Sequence, residues 1–138
     1  MHENYQIISV DKPEWGIIGG GIHSYNIQQA GEDNGQSMCF VVQGLNDEVV
    51  GGVIAATHWN WLYVDLMWIK EEFRGLCYGK RLLELVEEKA RELGAKNAYL
   101  DTFSFHALDF YKKYGYQVFG ELKDFPVGHQ RYYLTKQL

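Results

Sequence analysis

The stretch from Leu62 to Leu93 constrains the fold more than any other part of the chain. LYVDLMWI, Leu62 to Ile69, is nearly all apolar, which suits a strand covered on both faces. KEEFRGLCYG, Lys70 to Gly79, is a tight loop. KRLLELVEEKAREL, Lys80 to Leu93, is a helix, because Leu82, Leu83, Val86, Ala90 and Leu93 recur at spacings of three and four along one face. Gly94 supplies its C-terminal stop. Asn97 to Phe103, NAYLDTF, then reads as a second strand, and strand, helix and strand in sequence imply a right-handed parallel crossover. The loop therefore delivers free backbone N–H groups at a helix N-terminus, an anion site whose usual guest is phosphate.

The flanking segments fill out one α/β domain with a mixed sheet, spanning residues 1–138. Tyr5 to Val10 predicts a short first strand, broken by Asp11-Lys12-Pro13. Trp15 to Ala30 has partly helical spacing, and Gly19-Gly20-Gly21 predicts an interrupted or late-starting helix. Ser37 to Gln43 and Val49 to His58 are two strands joined by the turn GLNDE, with Gly51-Gly52 marking a bulge or close packing. Ala107 to Tyr114 is a short helix ended by Gly115. Gln117 to Leu122 and Gln130 to Thr135 form a closing hairpin around Pro126 and Gly128. Trp59, Trp61, Tyr63 and Trp68 are expected mostly in the core.

Composition removes several function classes. A formal net charge of −5 argues against nucleic acid, whose binding draws most of its affinity from basic patches, and it suits a cationic substrate such as an amine. No apolar run approaches the roughly 20 residues of a membrane span, and the N-terminus shows no signal-peptide pattern. Cys39 and Cys77 lie in different settings, an apolar run and a glycine loop, which suits a reducing cytoplasm. The five histidines are scattered without the short spacing of a zinc site, so no metal is expected. Gly75 to Lys80 is one residue short of a Walker A loop and lacks its Ser or Thr. Gly19-x-Gly21-x-x-Ser24 ends in Ser where the dinucleotide fingerprint needs Gly.

Two blocks carry a family resemblance. Arg74-Gly75-Leu76-Cys77-Tyr78-Gly79 resembles the R/Q-x-x-G-x-G/A signature of the GNAT acyltransferase superfamily, with Cys77 where the pattern has Gly. The block from Ser104 through Ala107, Phe110, Tyr111 and Gly115 to Tyr116 resembles that family's N-x-x-A-x-x-F-Y-x-x-x-G-F/Y block, with Ser104 in place of Asn. The resemblance covers about Met38 to Leu138 and implies a largely antiparallel central sheet flanked by helices, with acetyl-coenzyme A as co-substrate. It implies cofactor contacts from Met67, Trp68 and Ile69, from Arg74, Gly75, Leu76, Cys77, Tyr78, Gly79 and Lys80, and from Ser104 and Phe110.

The reaction so implied is acetyl transfer to a primary amine, on a small molecule or a peptide, by direct attack in a ternary complex. Tyr111 stands at the family's general-acid position, although Leu108, Tyr111 and Tyr114 also form one packable helix face. Asp65 interrupts an apolar strand. A buried carboxylate there is either catalytic or satisfied by a neighbouring element. Asp101, on the next strand, is a similar candidate. Cys77 reads as a reactive thiol at a helix N-terminus or as a tolerated small residue. A coenzyme A-binding interaction module without turnover is the alternative function. The sequence decides neither the acceptor nor whether the chain forms a homodimer.

Overall fold

A computed structural model describes residues 4–138, so His2 lies outside the described residues. The chain divides into two compact units, one ending at Asp33 and the other Asn34–Leu138.

The first unit holds helix α1, Trp15–Ala30. It runs unbroken through Gly19, Gly20 and Gly21, where the sequence predicts an interruption. Each interior glycine costs about 1 kcal/mol relative to alanine, which weakens a helix without ending it. The helix stops at Gly31, whose φ of 83° and ψ of 177° fall in a region essentially reserved for glycine. None of its residues is buried, and Trp15, Ile17, Ile18, Ile22 and Tyr25 are all exposed. Tyr5–Val10 is not a strand, contrary to the sequence reading. Strand propensity only permits a strand; hydrogen bonding to a neighbour makes one.

The second unit is built on a six-stranded sheet. Its strands are β1 (Gln36–Gln43), β2 (Val49–His58), β3 (Trp61–Ile69), β4 (Asn97–Phe103), β5 (Gln117–Lys123) and β6 (Gln130–Gln137), in the order β1-β2-β3-β4-β6-β5. Only β3 and β4 run parallel. Between them comes helix α2, Tyr78–Glu92, the predicted crossover. Helix α3 is Leu108–Lys113.

Helix α2 buries Leu82, Leu83, Val86 and Ala90 against one sheet face, where they meet Val53, Ala55, Leu62, Val64, Leu100 and Leu134. The glycine pair in β2 allows close strand approach. A Cβ on Gly51 would lie 2.8 Å from Ile69 Cδ1, and one on Gly52 would lie 2.8 Å from the Phe40 carbonyl oxygen. The register shifts fall next to this pair and farther along. Val50 is the extra residue opposite β1, and Asp65 is the extra residue on β3, between Leu66 opposite Ile54 and Val64 opposite Ala55.

That second shift changes what β3 buries. Leu62 and Val64 face the core before it, and Met67 and Ile69 pack there after it. One inserted residue reverses the alternation, as a bulge must. Leu66 and Trp68 are therefore 62% and 54% exposed, so β3 is not covered on both faces as its composition suggests. Trp59 and Trp61 are exposed as well, which corrects their expected place in the core.

One charged cluster sits inside this unit. Glu87 of α2 is buried, with Lys136 Nζ donating to its two carboxylate oxygens at 2.9 and 3.0 Å. The Tyr116 hydroxyl donates to Glu87 Oε2 at 2.8 Å. These bonds tie α2 to β6 and to the segment after α3, and they satisfy a carboxylate that burial would otherwise make very costly.

Candidate active site

Strands β3 and β4 pair only at their beginnings, Trp61 to Tyr63 against Asn97 to Tyr99. Beyond that, β4 keeps pairing with β6 as far as Phe103, while β3 keeps pairing with β2 as far as Ile69. A wedge opens between the two strands where parallel pairing ceases. The N-terminus of α2 stands beside it. A Cβ on Gly79 would lie 3.4 Å from Phe110 Cζ and 3.9 Å from Met67 Sδ, so α2, α3 and β3 meet at this glycine.

The first helical bond of α2 runs from Arg81 N–H to the Cys77 carbonyl, and no side chain caps the helix start. The first-turn amides are then available to an anion, and no acidic residue in that turn opposes one. Arg74 Nε donates to the Ile69 carbonyl at 2.8 Å, fastening the loop to the end of β3. Gly75 turns with φ +78° and has open space around it. Leu76 is exposed, Tyr78 is borderline exposed, and Lys80 pairs loosely with Glu84 at 3.9 Å.

Cys77 adopts φ 67° and ψ 13°, the left-handed region. That geometry gives a physical reason for a glycine in the signature, since any side chain is strained there by about 1–2 kcal/mol. Cys77→Gly is expected to raise stability by about 1 kcal/mol, after allowing for the freedom glycine adds to the unfolded chain. Urea unfolding of the two proteins checks it, and a less stable glycine variant would mean that the thiol makes contacts outweighing the strain. Both cysteines are free and exposed.

Tyr111 sits in α3 and is buried, with its ring edge-on to Phe110 and Tyr116. Burial, with the Asp101 charge second, pushes its phenol up to about 12. Packing by Tyr111 is thus real, and it coexists with a hydroxyl protonated throughout the neutral range. Ser104 Oγ accepts the Gln130 N–H at 3.1 Å, while the Ser104 N–H donates to the Gln130 carbonyl at 2.8 Å. Its side chain therefore secures the end of the β4–β6 pairing.

The two carboxylates have different surroundings. Asp101 receives Arg131 Nε and Nη2 on Oδ1 at 2.9 and 2.6 Å, and the Tyr63 hydroxyl approaches Oδ2 at 3.4 Å. Asp65 is exposed, not buried as its apolar neighbours suggest, because it is the bulged residue. Its charge acts on Tyr63, while Met67 packs against the core. The Tyr63 phenol is raised by burial first, then by the charges of Asp101 and Asp65. Tyr63 stacks on Tyr99 with ring centres 4.8 Å apart.

Arg131, Tyr63 and Tyr99 do not stand out as site residues in the sequence. No sequence signal marks Arg131, because only the pairing of β6 with β4, which puts it opposite Phe103, brings it to the face of Asp101. Among the described residues, no group of three His, Cys, Asp or Glu side chains is placed to hold a metal ion.

Residues 2–116 match the profile of the Acetyltransferase (GNAT) family. The chain belongs to the GNAT acetyltransferase family. An acetyltransferase of Agrobacterium fabrum is 32% identical over 114 residues, 83% of each protein. The blasticidin-S acetyltransferase of Streptomyces morookaense is 35% identical over 96 residues, covering 69% of this chain and 71% of that one. A crystal structure of a Bacillus cereus acetyltransferase superposes with a TM-score of 0.88 at 30% identity, over 98% of this chain and 99% of the other. The wedge at β3 and β4 is thus a feature of a GNAT acetyltransferase, with a mixed, mostly antiparallel open sheet.

Proposed function

We propose that this GNAT chain acts as one domain transferring an acetyl group from acetyl-coenzyme A to a primary amine on a small molecule. The observation that carries the reading is the uncapped start of α2 beside the β3–β4 wedge, with Phe110 next to it and Tyr111 edge-on to Phe110. The amides from Leu76 to Lys80 would take the pyrophosphate, and Arg74 and Gly75 shape the loop that presents them. Backbone N–H groups of Met67, Trp68 or Ile69 would polarise the thioester carbonyl. Ser104 and Phe110 flank the cofactor.

A primary amine with a pKa near 10.4 is almost wholly protonated at neutral pH, and freeing it costs roughly 4–5 kcal/mol. Asp65 is the exposed carboxylate suited to take that proton, directly or through water, while Asp101 is held by Arg131 and orients Tyr63. The free amine attacks the carbonyl carbon, and Tyr111 donates towards the departing thiolate. A small cationic acceptor agrees with the chain's net charge of −5 and with the relative named for blasticidin S. The free cysteines suit a cytoplasmic location, and no helix among the described residues is long and apolar enough to cross a membrane.

Acetyl-coenzyme A is expected to raise the melting temperature, because only the folded chain binds it. Release of free thiol with a panel of small amines should then exceed release without them, and Asp65→Asn should lose most turnover at neutral pH and recover as pH rises. A thermal shift with no thiol release from any amine would favour a coenzyme A-binding module. No shift at millimolar cofactor would remove the cofactor assignment itself.

A further inference from the structure

Tyr63 is the last residue of β3 that pairs with β4, so its ring stands at the closed end of the wedge. Tyr99 takes one face of that ring, with centres 4.8 Å apart and planes 20° from parallel. Strand register shows what lies beside the other face. Tyr63 is paired with Ala56 of β2, and Ala56 with Ser37 of β1, so one row across the sheet reads Ser37, Ala56, Tyr63, Tyr99. Their neighbours Ala55, Leu62, Val64 and Ala98 are buried in the core with α2, which puts this row on the opposite sheet face. Ala56 and Ser37 are too short to cover a ring, and Tyr99 is the only ring that meets Tyr63 among the described residues. The result is a shallow niche next to the wedge, floored by Ala56 and Ser37 and walled by the outer face of Tyr63. Ile54 and His58, two residues either way along β2, bound its ends.

Charge selects the guest. Asp65 and Asp101 both act on the Tyr63 phenol, so both carboxylates stand near this ring. Arg131 occupies Oδ1 of Asp101 and leaves Oδ2 to the Tyr63 hydroxyl. Two carboxylates against one guanidinium leave a net negative charge around an electron-rich face, which is a setting for a cation. The nitrogen to be acetylated cannot be that cation, because it must reach the carbonyl carbon as a free amine. A group held on Tyr63 keeps its charge, so two different nitrogens meet the two demands.

We propose that the outer face of Tyr63, over Ala56 and Ser37, is a subsite for a second cationic group of the acceptor, so that the chain prefers short diamines and amino-guanidines to simple monoamines. The inference rests on the acetyl-transfer reading above and adds the class of acceptor. Asp65 lies two residues beyond Tyr63, roughly 6–7 Å along the strand, a span bridged by a spacer of about four carbons.

Calorimetry on the intact chain, with coenzyme A bound, compares putrescine with n-butylamine, the monoamine of the same carbon chain. Putrescine is expected to bind about 10-fold tighter, the effect of one largely desolvated cation–ring contact. Tyr63→Leu removes the ring and Ala56→Met fills the niche, and each should bring the ratio of the two affinities close to one. Tyr63→Phe keeps the ring face and should keep the preference. Equal affinities in the parent chain overturn the subsite, and so does a preference that survives in whichever of Tyr63→Leu and Ala56→Met folds. Thiol release from acetyl-coenzyme A with the same amines tests transfer separately. Preferred binding of putrescine without thiol release would leave the subsite in place and overturn the transfer reading. Thiol release with both amines at equal affinity would do the reverse.

Discussion

Lys136→Met is expected to cost about 3 kcal/mol or slightly more, the low end of the range for breaking a buried ion pair. The low end applies because the Lys136 side chain is 19% exposed and Arg91 remains 4.0 Å from Glu87. For a chain of this size the melting temperature should fall by roughly 10–15 °C. The loss does not measure the value of the bridge, since it mostly reflects the Glu87 carboxylate left without its main partner at 6% side-chain exposure. Replacing the whole cluster by Glu87→Leu, Lys136→Met and Tyr116→Phe should therefore recover most of the stability. Urea melts of both variants decide it. A single variant within 1 kcal/mol of the parent would mean that water reaches Glu87 freely.

The same region sets an alkaline limit. Burial raises the Tyr116 phenol, with Glu87 second, and burial raises Tyr111 to about 12. The unfolded chain gives up these protons near pH 10, where the folded chain still holds them. Their contribution to stability is therefore whole below pH 10 and declines as pH climbs through 10 towards 12.

Tyr111→Phe is expected to lower turnover roughly 10- to 1000-fold, with little change in stability or in acetyl-coenzyme A affinity. The substitution keeps the ring that packs on Phe110 and Tyr116 and removes only the hydroxyl. A phenol near 12 is a weaker acid than the coenzyme A thiol, near 8.5, so it helps by hydrogen bonding to sulfur as charge develops rather than by completing an easy transfer. That predicts no loss of rate from phenol ionisation near pH 10. Thiol-release rates between pH 7 and 10.5 test both parts. Wild-type turnover in Tyr111→Phe, with stability lost only in Tyr111→Ala, would leave Tyr111 as a packing residue.

Local pattern made much of the second unit legible. The spacing of Leu82, Leu83, Val86 and Ala90 determines α2 and its buried face, and the apolar runs on either side of it determine the parallel crossover. The arginine-glycine loop before α2 follows from the same periodicity, as does the placing of Gly94 and Gly115 at positive φ after their helices. These features depend on contacts close in sequence, which the residues themselves specify.

What the sequence left undetermined depends on partners distant in the chain. The extra residue at Asp65 exists only because β2 and β3 pair in one register, and it turned a presumed buried carboxylate into an exposed one while reversing the face of Met67 and Trp68. Glu87 looks like any helix surface charge until Lys136 and Tyr116 arrive from 49 and 29 residues away. Tyr5–Val10 has a strand's composition but no ladder, because propensity cannot supply a neighbour's hydrogen bonds. The sequence by itself determined the crossover, its helix and its loop through short-range periodicity. Tertiary structure alone decided which carboxylates are buried, which face of β3 is open and where Arg131 meets Asp101, because register and pairing fix which side of a sheet each residue takes.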